Sequence, residues 1–189
     1  MRIIGGSLKG RHLRSAGRWN IRPTSNYLKE VVFDVLQGRI AEARVLDLFA
    51  GSGNMGIEAL SRGAREVVFA DSSPASMRLI QTNLKAVGME GRAVLMRVAA
   101  DLAIKRLRSL GQRFSVIFLD PPYQSRLLGS VLEDLSASSL LEAEGWIVAE
   151  HFHKQDLPPS LPGLIRIRQI RHGQSKLSFY AKAASNTST

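Results

Sequence analysis

The chain has no cysteine among its 189 residues, which excludes disulfide bonds and thiolate metal sites. Its close histidine pair, His151 and His153, has no third ligand at suitable spacing, so no metal is expected. No apolar run approaches the roughly 20 residues that a membrane helix needs. The opening Met1-Arg2-Ile3-Ile4-Gly5-Gly6 lacks the apolar stretch of a secretory signal. A cytoplasmic protein with no membrane partner is the expectation. Acidic residues are missing from both ends. Residues 1–29 hold seven Lys/Arg and no Asp/Glu, residues 157–189 hold five and none, and residues 30–156 hold fourteen basic against sixteen acidic. The net charge of +10 therefore sits at the termini. Such segregation favours a polyanion face over an evenly solvated basic surface, and nucleic acid is the expected partner.

What is present fits one domain with a sizeable core. Residues 1–40 read as a basic N-terminal hairpin or arm followed by a helix. That helix starts at Pro23-Thr24-Ser25, carries Leu28, Val31, Val32, Val35 and Leu36 at helical spacing, and stops at Gly38. From 41 to 184 the pattern becomes strand–helix alternation. Strands are predicted at Val45 to Phe49, Glu66 to Ala70, Ala93 to Val98, Phe114 to Leu119 and Gly145 to Glu150. Ser73-Pro74 reads as an N-cap with proline at the first helical position, and Gly88 as that helix's stop. Pro158, Pro159 and Pro162 mark a loop, followed by an antiparallel hairpin around His172-Gly173-Gln174-Ser175. Residues 185–189 are expected to be disordered. Repeated βα units predict a mostly parallel sheet covered on both faces, that is, an α/β fold.

Two segments carry chemistry. The first is Asp47-Leu48-Phe49-Ala50-Gly51-Ser52-Gly53-Asn54-Met55-Gly56, between a strand and its helix. Its glycines let the backbone approach a ligand, and their spacing satisfies the dinucleotide pattern G-x-G-x-x-G. Asp71, with Ser72 beside it, closes the second strand twenty positions after Gly51, where an acid can accept ribose hydroxyl protons. NAD would use the same acid. Asp47 shifts the reading, because its carboxylate would repel a pyrophosphate and attract the ammonium of a methionine-type ligand. Asp101, after the third strand, is placed either to reach an adenine amine or to serve as a simple N-cap. Together these residues point to S-adenosylmethionine.

The second segment is Asp120-Pro121-Pro122-Tyr123, directly after an apolar strand. Proline removes the backbone donor and fixes φ, so neither helix nor ladder continues. Carbonyl groups are left facing a cleft beside one carboxylate and one aromatic ring. This arrangement suits a planar, amine-bearing heterocycle, although a plain strand-ending turn would read the same way.

Three strings, Asp47 to Gly53, Glu58-Ala-Leu-Ser-Arg-Gly-Ala64 and Leu119 to Tyr123, closely resemble the bacterial 16S ribosomal RNA guanine-N2 methyltransferases, the RsmD-like family. The opening Met1 to Gly6, Arg22-Pro-Thr24 with Lys29-Glu30 and Phe33, and Gly145 to Glu150 resemble it as well. The resemblance implies a Rossmann-like, seven-stranded class I methyltransferase fold, S-adenosylmethionine as donor, and a guanine of the small-subunit RNA as target. Three departures stand out. Asn54-Met55 replaces a small apolar pair, Tyr27 stands where arginine is common, and His172 stands where tyrosine is usual.

On this reading Asp47, Phe49, Ala50, Gly51, Ser52, Gly53, Asp71, Ser72 and Asp101 hold the cofactor. Asp120 and the Pro121 carbonyl grip the guanine amine, and Tyr123 stacks on the base. Arg2, Lys9, Arg11, Arg14, Arg22, Arg168, Arg171 and Lys176, with Arg18 and Arg166, hold flanking phosphates. An unpaired or flipped guanine is needed for access. The expected partner is ribosomal RNA or the assembling small subunit, and the expected state is a monomer. Trp146 is expected in the core, and Glu150 in a strand-end ion pair or near the cofactor cleft. The alternatives are an amino-methyltransferase of DNA adenine or another RNA, a nicotinamide-dependent oxidoreductase, and a non-catalytic RNA-binding module.

Overall fold

The computed structural model describes residues 1–15, 26–122 and 127–183. Arg18, Trp19, Arg22, the helix start at Pro23 to Ser25, Tyr123 and the tail 185–189 lie outside the described residues.

The first α/β strand, β1 (Arg44–Leu48), pairs in parallel with β2 (Glu66–Ala70) on one side and β4 (Phe114–Leu119) on the other. β2 continues to β3 (Ala93–Met96), and β4 to β5 (Leu141–Phe152), again in parallel. Beyond β5 the sheet turns antiparallel through β8 (Ser175–Lys182), β7 (Leu164–His172) and β6 (Ser160–Leu161). The order is β3-β2-β1-β4-β5-β8-β7-β6. The sheet is thus eight-stranded rather than seven-stranded. The extra strand is the two-residue β6, which lies where the prolines predict only loop. Prolines at 158, 159 and 162 confine it to the sheet edge, where a missing donor costs no ladder bond.

Helices cover both faces, as the alternation predicts. α1 (Asn26–Val35), α2 (Asn54–Ser61) and α3 (Pro74–Val87) bury Val32, Phe33, Ile57, Leu60, Ile80 and Leu84 against Val45, Phe69, Phe118 and Val148. α4 (Ala100–Ser109) and α5 (Leu127–Ser136) bury Ile104, Leu107, Val131 and Leu132 against Leu46, Ile117, Leu119 and Ile147. The period-two alternation of the strands sorts these residues into two cores. α3 begins as its sequence predicts: the Ser73 side chain accepts from the Ser76 N–H at 3.3 Å, Pro74 follows, and Gly88 caps the other end at φ +71°. β5 is longer than the predicted Gly145 to Glu150, because pairing with β8 carries it through Phe152. Trp146 is half-buried and packs on the core of the α1 face, with the Arg39 guanidinium 4.2 Å above its ring.

The N-terminal arm is a hairpin closed by Ile3 N–H to Arg11 O (2.9 Å) and Leu13 N–H to Met1 O (2.9 Å). Ile3 and Leu13 enter the same core as α1 and α2. The arm docks on a buried ion pair between α1 and α2, with Lys29 Nζ 3.0 Å from Glu58 Oε2 and both side chains fully inaccessible. Glu58 also accepts the backbone N–H groups of Ile4 (2.9 Å) and Gly5 (2.7 Å), and Lys29 donates to Arg2 O (2.7 Å). Ser61 Oγ donates to Gly5 O at 2.6 Å. Gly6 has φ +73°, and a Cβ there would sit 1.9 Å from the Ser61 carbonyl oxygen, so no other residue fits. This contact gives a physical role to Gly5-Gly6, Lys29 and the Glu58 to Ala64 string.

Candidate active site

The sheet order reverses between β1 and β4, and at such a switch point the carboxyl ends of the strands open a crevice. The residues singled out from the sequence converge there. Asp47 lies on β1, the glycine loop follows it, Asp71 ends β2, Asp101 follows β3 and Asp120 ends β4. Asp120 lies in register beside Phe49, one step beyond the Leu48–Leu119 pair.

Several of the loop's backbone donors are used within the protein. Gly51 N–H donates to Asp71 Oδ2 (2.8 Å), Gly53 N–H to Ala50 O (2.7 Å), and Gly56 N–H to Asp47 Oδ2 (3.0 Å). A pyrophosphate needs such donors at the helix N-terminus. Here the first turn of α2 faces a carboxylate instead. Gly53 adopts φ +78°, and a Cβ there would press on Ile80 and Ile57 at 3.2–3.3 Å, so glycine is required for the loop to seat. Phe49 holds φ +65°, a conformation costly for a bulky side chain and concentrated at functional sites.

Asp47 is 2% exposed, and burial raises its pKa from 3.8 to about 7, partly opposed by the Gly56 bond. A folded-state pKa above the unfolded value means the folded protein holds the proton more tightly. Stability is therefore lost as pH rises from about 4 to about 7, by on the order of 4 kcal/mol for a three-unit shift. Asp47→Asn should abolish most of that loss, so its melting temperature should exceed wild type at pH 8 and match it at pH 4. Thermal unfolding across pH checks this, and equal pH profiles would contradict it.

Asp71 is half-exposed, and its Oδ1 also accepts the Ser73 N–H (2.8 Å). Two backbone donors fix its orientation, and a carboxylate has roughly four acceptor sites, which leaves capacity for a ligand. Ser72 is exposed, whereas the Ser52 hydroxyl lies 3.2 Å from Met1 Sδ of the arm. Asp101 is not an N-cap: Ala99 holds that position, and Asp101 sits in the first turn of α4, 4.0 Å from Lys105 Nζ.

Below Asp120 lies a small recess. Val32, Met55, Phe118, Leu119, Val148 and Leu177 line it, together with the carboxylates of Asp120 and Glu150. Pro121 is buried and Pro122 exposed. Glu150 is 6% exposed, and its Oε1 accepts from Ser175 Oγ at 3.1 Å. The part played by α1 was not read from the sequence, and Glu150 was placed near the cleft only as an alternative. The signal for Glu150 was its parity with Val148 on the strand next to β4.

The basic residues divide. Lys9, Arg14 and Arg168 are exposed, and Arg2 is exposed at the arm's edge. Arg11 donates to Ala86 O (2.8 Å), Arg166 to Leu157 O (2.9 Å), and Lys176 lies 3.5 Å from Asp156. Arg168 pairs with Phe179, whose side chain lies in the core on the face carrying α1, whereas Arg171 and Lys176 lie opposite His151 on the other face. His151 is buried and 3.0 Å from Ser178 Oγ, and its pKa is lowered by burial. Two of the departures meet: the rings of Tyr27 and His172 are in tilted contact, with centroids 4.3 Å apart and planes at 34°. The third is also engaged, since Asn54 Oδ1 accepts from Lys29 Nζ at 2.9 Å.

The family model described as conserved hypothetical protein 95 matches residues 1–181. The chain belongs to this family. It is 36% identical over 182 residues to the Bacillus subtilis protein named "Putative rRNA methyltransferase YlbH", covering 96% of this chain and 99% of that protein. It is 34% identical over 150 residues to ribosomal RNA small subunit methyltransferase D of Escherichia coli K12, covering 79% and 71%. The solved structure described as "Putative methyltransferase yhhF from Escherichia coli" superposes with a TM-score of 0.84 at 30% identity, over 97% of this chain and 98% of that one. The family's α/β core, with its antiparallel C-terminal strands, is the architecture described above.

Proposed function

We propose that the protein transfers a methyl group from S-adenosylmethionine to the exocyclic N2 amine of a guanine in small-subunit ribosomal RNA. The observation that carries this reading is the acid-and-carbonyl end of β4 beside a glycine loop in which the Gly51, Gly53 and Gly56 donors are taken by Asp71, Ala50 and Asp47. Such a loop is poorly suited to a pyrophosphate, which weakens the nicotinamide alternative, and well suited to a cationic, ribose-bearing ligand. When bound, S-adenosylmethionine supplies a methyl group on an electrophilic sulfonium centre. Asp47 attracts the ammonium, Asp71 accepts from the ribose hydroxyls, and Asp101 accepts from the adenine amine. Phe49, Ala50, Gly51, Ser52, Gly53 and Ser72 form the surrounding wall.

The chain's contribution to the reaction is orientation. A guanine amine has its lone pair delocalised into the ring. Hydrogen bonds from its two protons to the Asp120 carboxylate and the Pro121 carbonyl draw the nitrogen towards tetrahedral geometry and aim the pair at the methyl group. Tyr123 stacks on the base. Arg2, Lys9, Arg11, Arg14 and Arg22 of the arm, with Arg168, Arg171 and Lys176 of the hairpin, contact flanking phosphates. Arg168 shares the face of α1 and the recess, so it is assigned the nearest of the hairpin contacts.

Tritiated methyl transfer to naked small-subunit RNA, to assembled subunits and to duplex DNA tests the proposal, followed by mass analysis of the nucleosides. The expected product is N2-methylguanosine in one of the two RNA substrates. N6-methyladenine in the DNA, or no transfer to any substrate, would overturn it.

A further inference from the structure

We infer that Glu150 is a second acceptor for the target base and reads the guanine N1–H, which makes it a specificity-determining residue. The inference rests on the proposed guanine reading. Its basis is strand register. β4 and β5 run parallel with Phe118 opposite Val148 and Leu119 opposite Ala149, so Asp120 is the next position beside Glu150. Adjacent strands lie about 4.8 Å apart. Side chains alternate along a strand, and Phe118 and Val148 both enter the core on the α1 face. Asp120 and Glu150 therefore project to that same face, and both line the recess.

A donor inventory of the base then requires a third acceptor. Guanine's Watson–Crick edge presents N1–H next to the N2 amine. If Asp120 and the Pro121 carbonyl take the two amine protons, N1–H enters an otherwise apolar recess and needs a partner, because a buried unpaired donor is costly. Glu150 supplies one from the neighbouring strand. Ser175 Oγ, 3.1 Å from Oε1, helps orient the carboxylate, a group with roughly four acceptor sites. Adenine and 2-aminopurine each present an acceptor at N1, which faces a carboxylate unfavourably. The enzyme's choice of guanine is thus set on β5 as much as on β4.

The test replaces the methylated guanine, once mapped, by 2-aminopurine. That base keeps the N2 amine but has a bare N1. The substitution is made by splinted ligation in whichever substrate form the wild-type protein methylates. Wild type should prefer guanine by at least about tenfold in kcat/KM, as expected when a buried polar group is left mispaired. Glu150→Gln is nearly isosteric. Its amide oxygen can keep the Ser175 bond while its NH2 faces the base, so the preference should reverse towards 2-aminopurine, with S-adenosylhomocysteine affinity and melting temperature near wild type. A purely structural Glu150 would lower both rates together and leave their ratio unchanged, which would overturn the inference. So would equal wild-type rates on the two bases, a result that does not depend on the variant folding. Wild-type transfer to guanine with an unmoved ratio in Glu150→Gln sinks this inference alone. Absence of transfer to any guanine sinks the underlying reading with it.

Discussion

Asp120→Ala is expected to lower methyl transfer by about 10²–10³-fold, the range seen when one preorganised hydrogen-bonding partner is removed from a reacting centre. S-adenosylhomocysteine affinity should stay near wild type. Asp120 lies at the end of β4, on the β5 side of β1, whereas the residues assigned to the cofactor lie on β1, β2 and β3. The side chain is half-exposed, so truncating it should change stability little beside the change in rate. Single-turnover transfer rates, with calorimetric titration of S-adenosylhomocysteine, check the prediction. If affinity for the cofactor product collapses along with the rate, Asp120 belongs to the cofactor site and not to the base.

The second large effect concerns the arm. Lys29→Met should destabilise the protein by about 3–5 kcal/mol, because it leaves Glu58 charged in a fully buried position. Burial already lowers the Lys29 pKa, against the raising effect of Glu58, so desolvation of the ammonium outweighs the attraction. The pair is thus expensive to form and more expensive to break. Arg62 Nε, 2.9 Å from Glu58 Oε1 and i,i+4 along α2, moderates the loss. For a chain of this size the shift corresponds to a drop of roughly 6–20 °C in melting temperature. Replacing both partners, Lys29→Met with Glu58→Leu, should recover part of that loss, although the N–H groups of Ile4 and Gly5 would then lose their acceptor. Denaturant unfolding of the two variants decides. A Lys29→Met protein within about 1 kcal/mol of wild type would mean the arm does not depend on the pair.

Much of the site was legible in the sequence because its parts are local. A strand ending in Asp-Pro-Pro must stop where it does, and β4 stops at Leu119. A glycine loop between an apolar run and a helix must lie at a strand's carboxyl end, and the acid closing the next strand must lie beside it. Where the reading failed, partners distant in sequence intervened. Glu150 carries no local signal of burial, yet β8 places Ser175 on its carboxylate. Trp146 packs on the core only in part, because the Arg39 guanidinium lies over its ring. Asp101 allowed two readings, and Ala99, two positions before it, takes the cap. β6 was hidden because two residues carry no periodicity.

Sequence alone determined the α/β class, the positions of the five helices, the glycine loop and the acid-proline strand end, since each depends on backbone preferences and periodicities within a few residues. The tertiary structure decided which acids meet. It set Asp47 against the first turn of α2, Glu58 under the arm and Glu150 beside Asp120, because strand order and register bring together groups separated by tens of residues. No local pattern encodes that pairing; it follows from burying two apolar faces of one sheet at once.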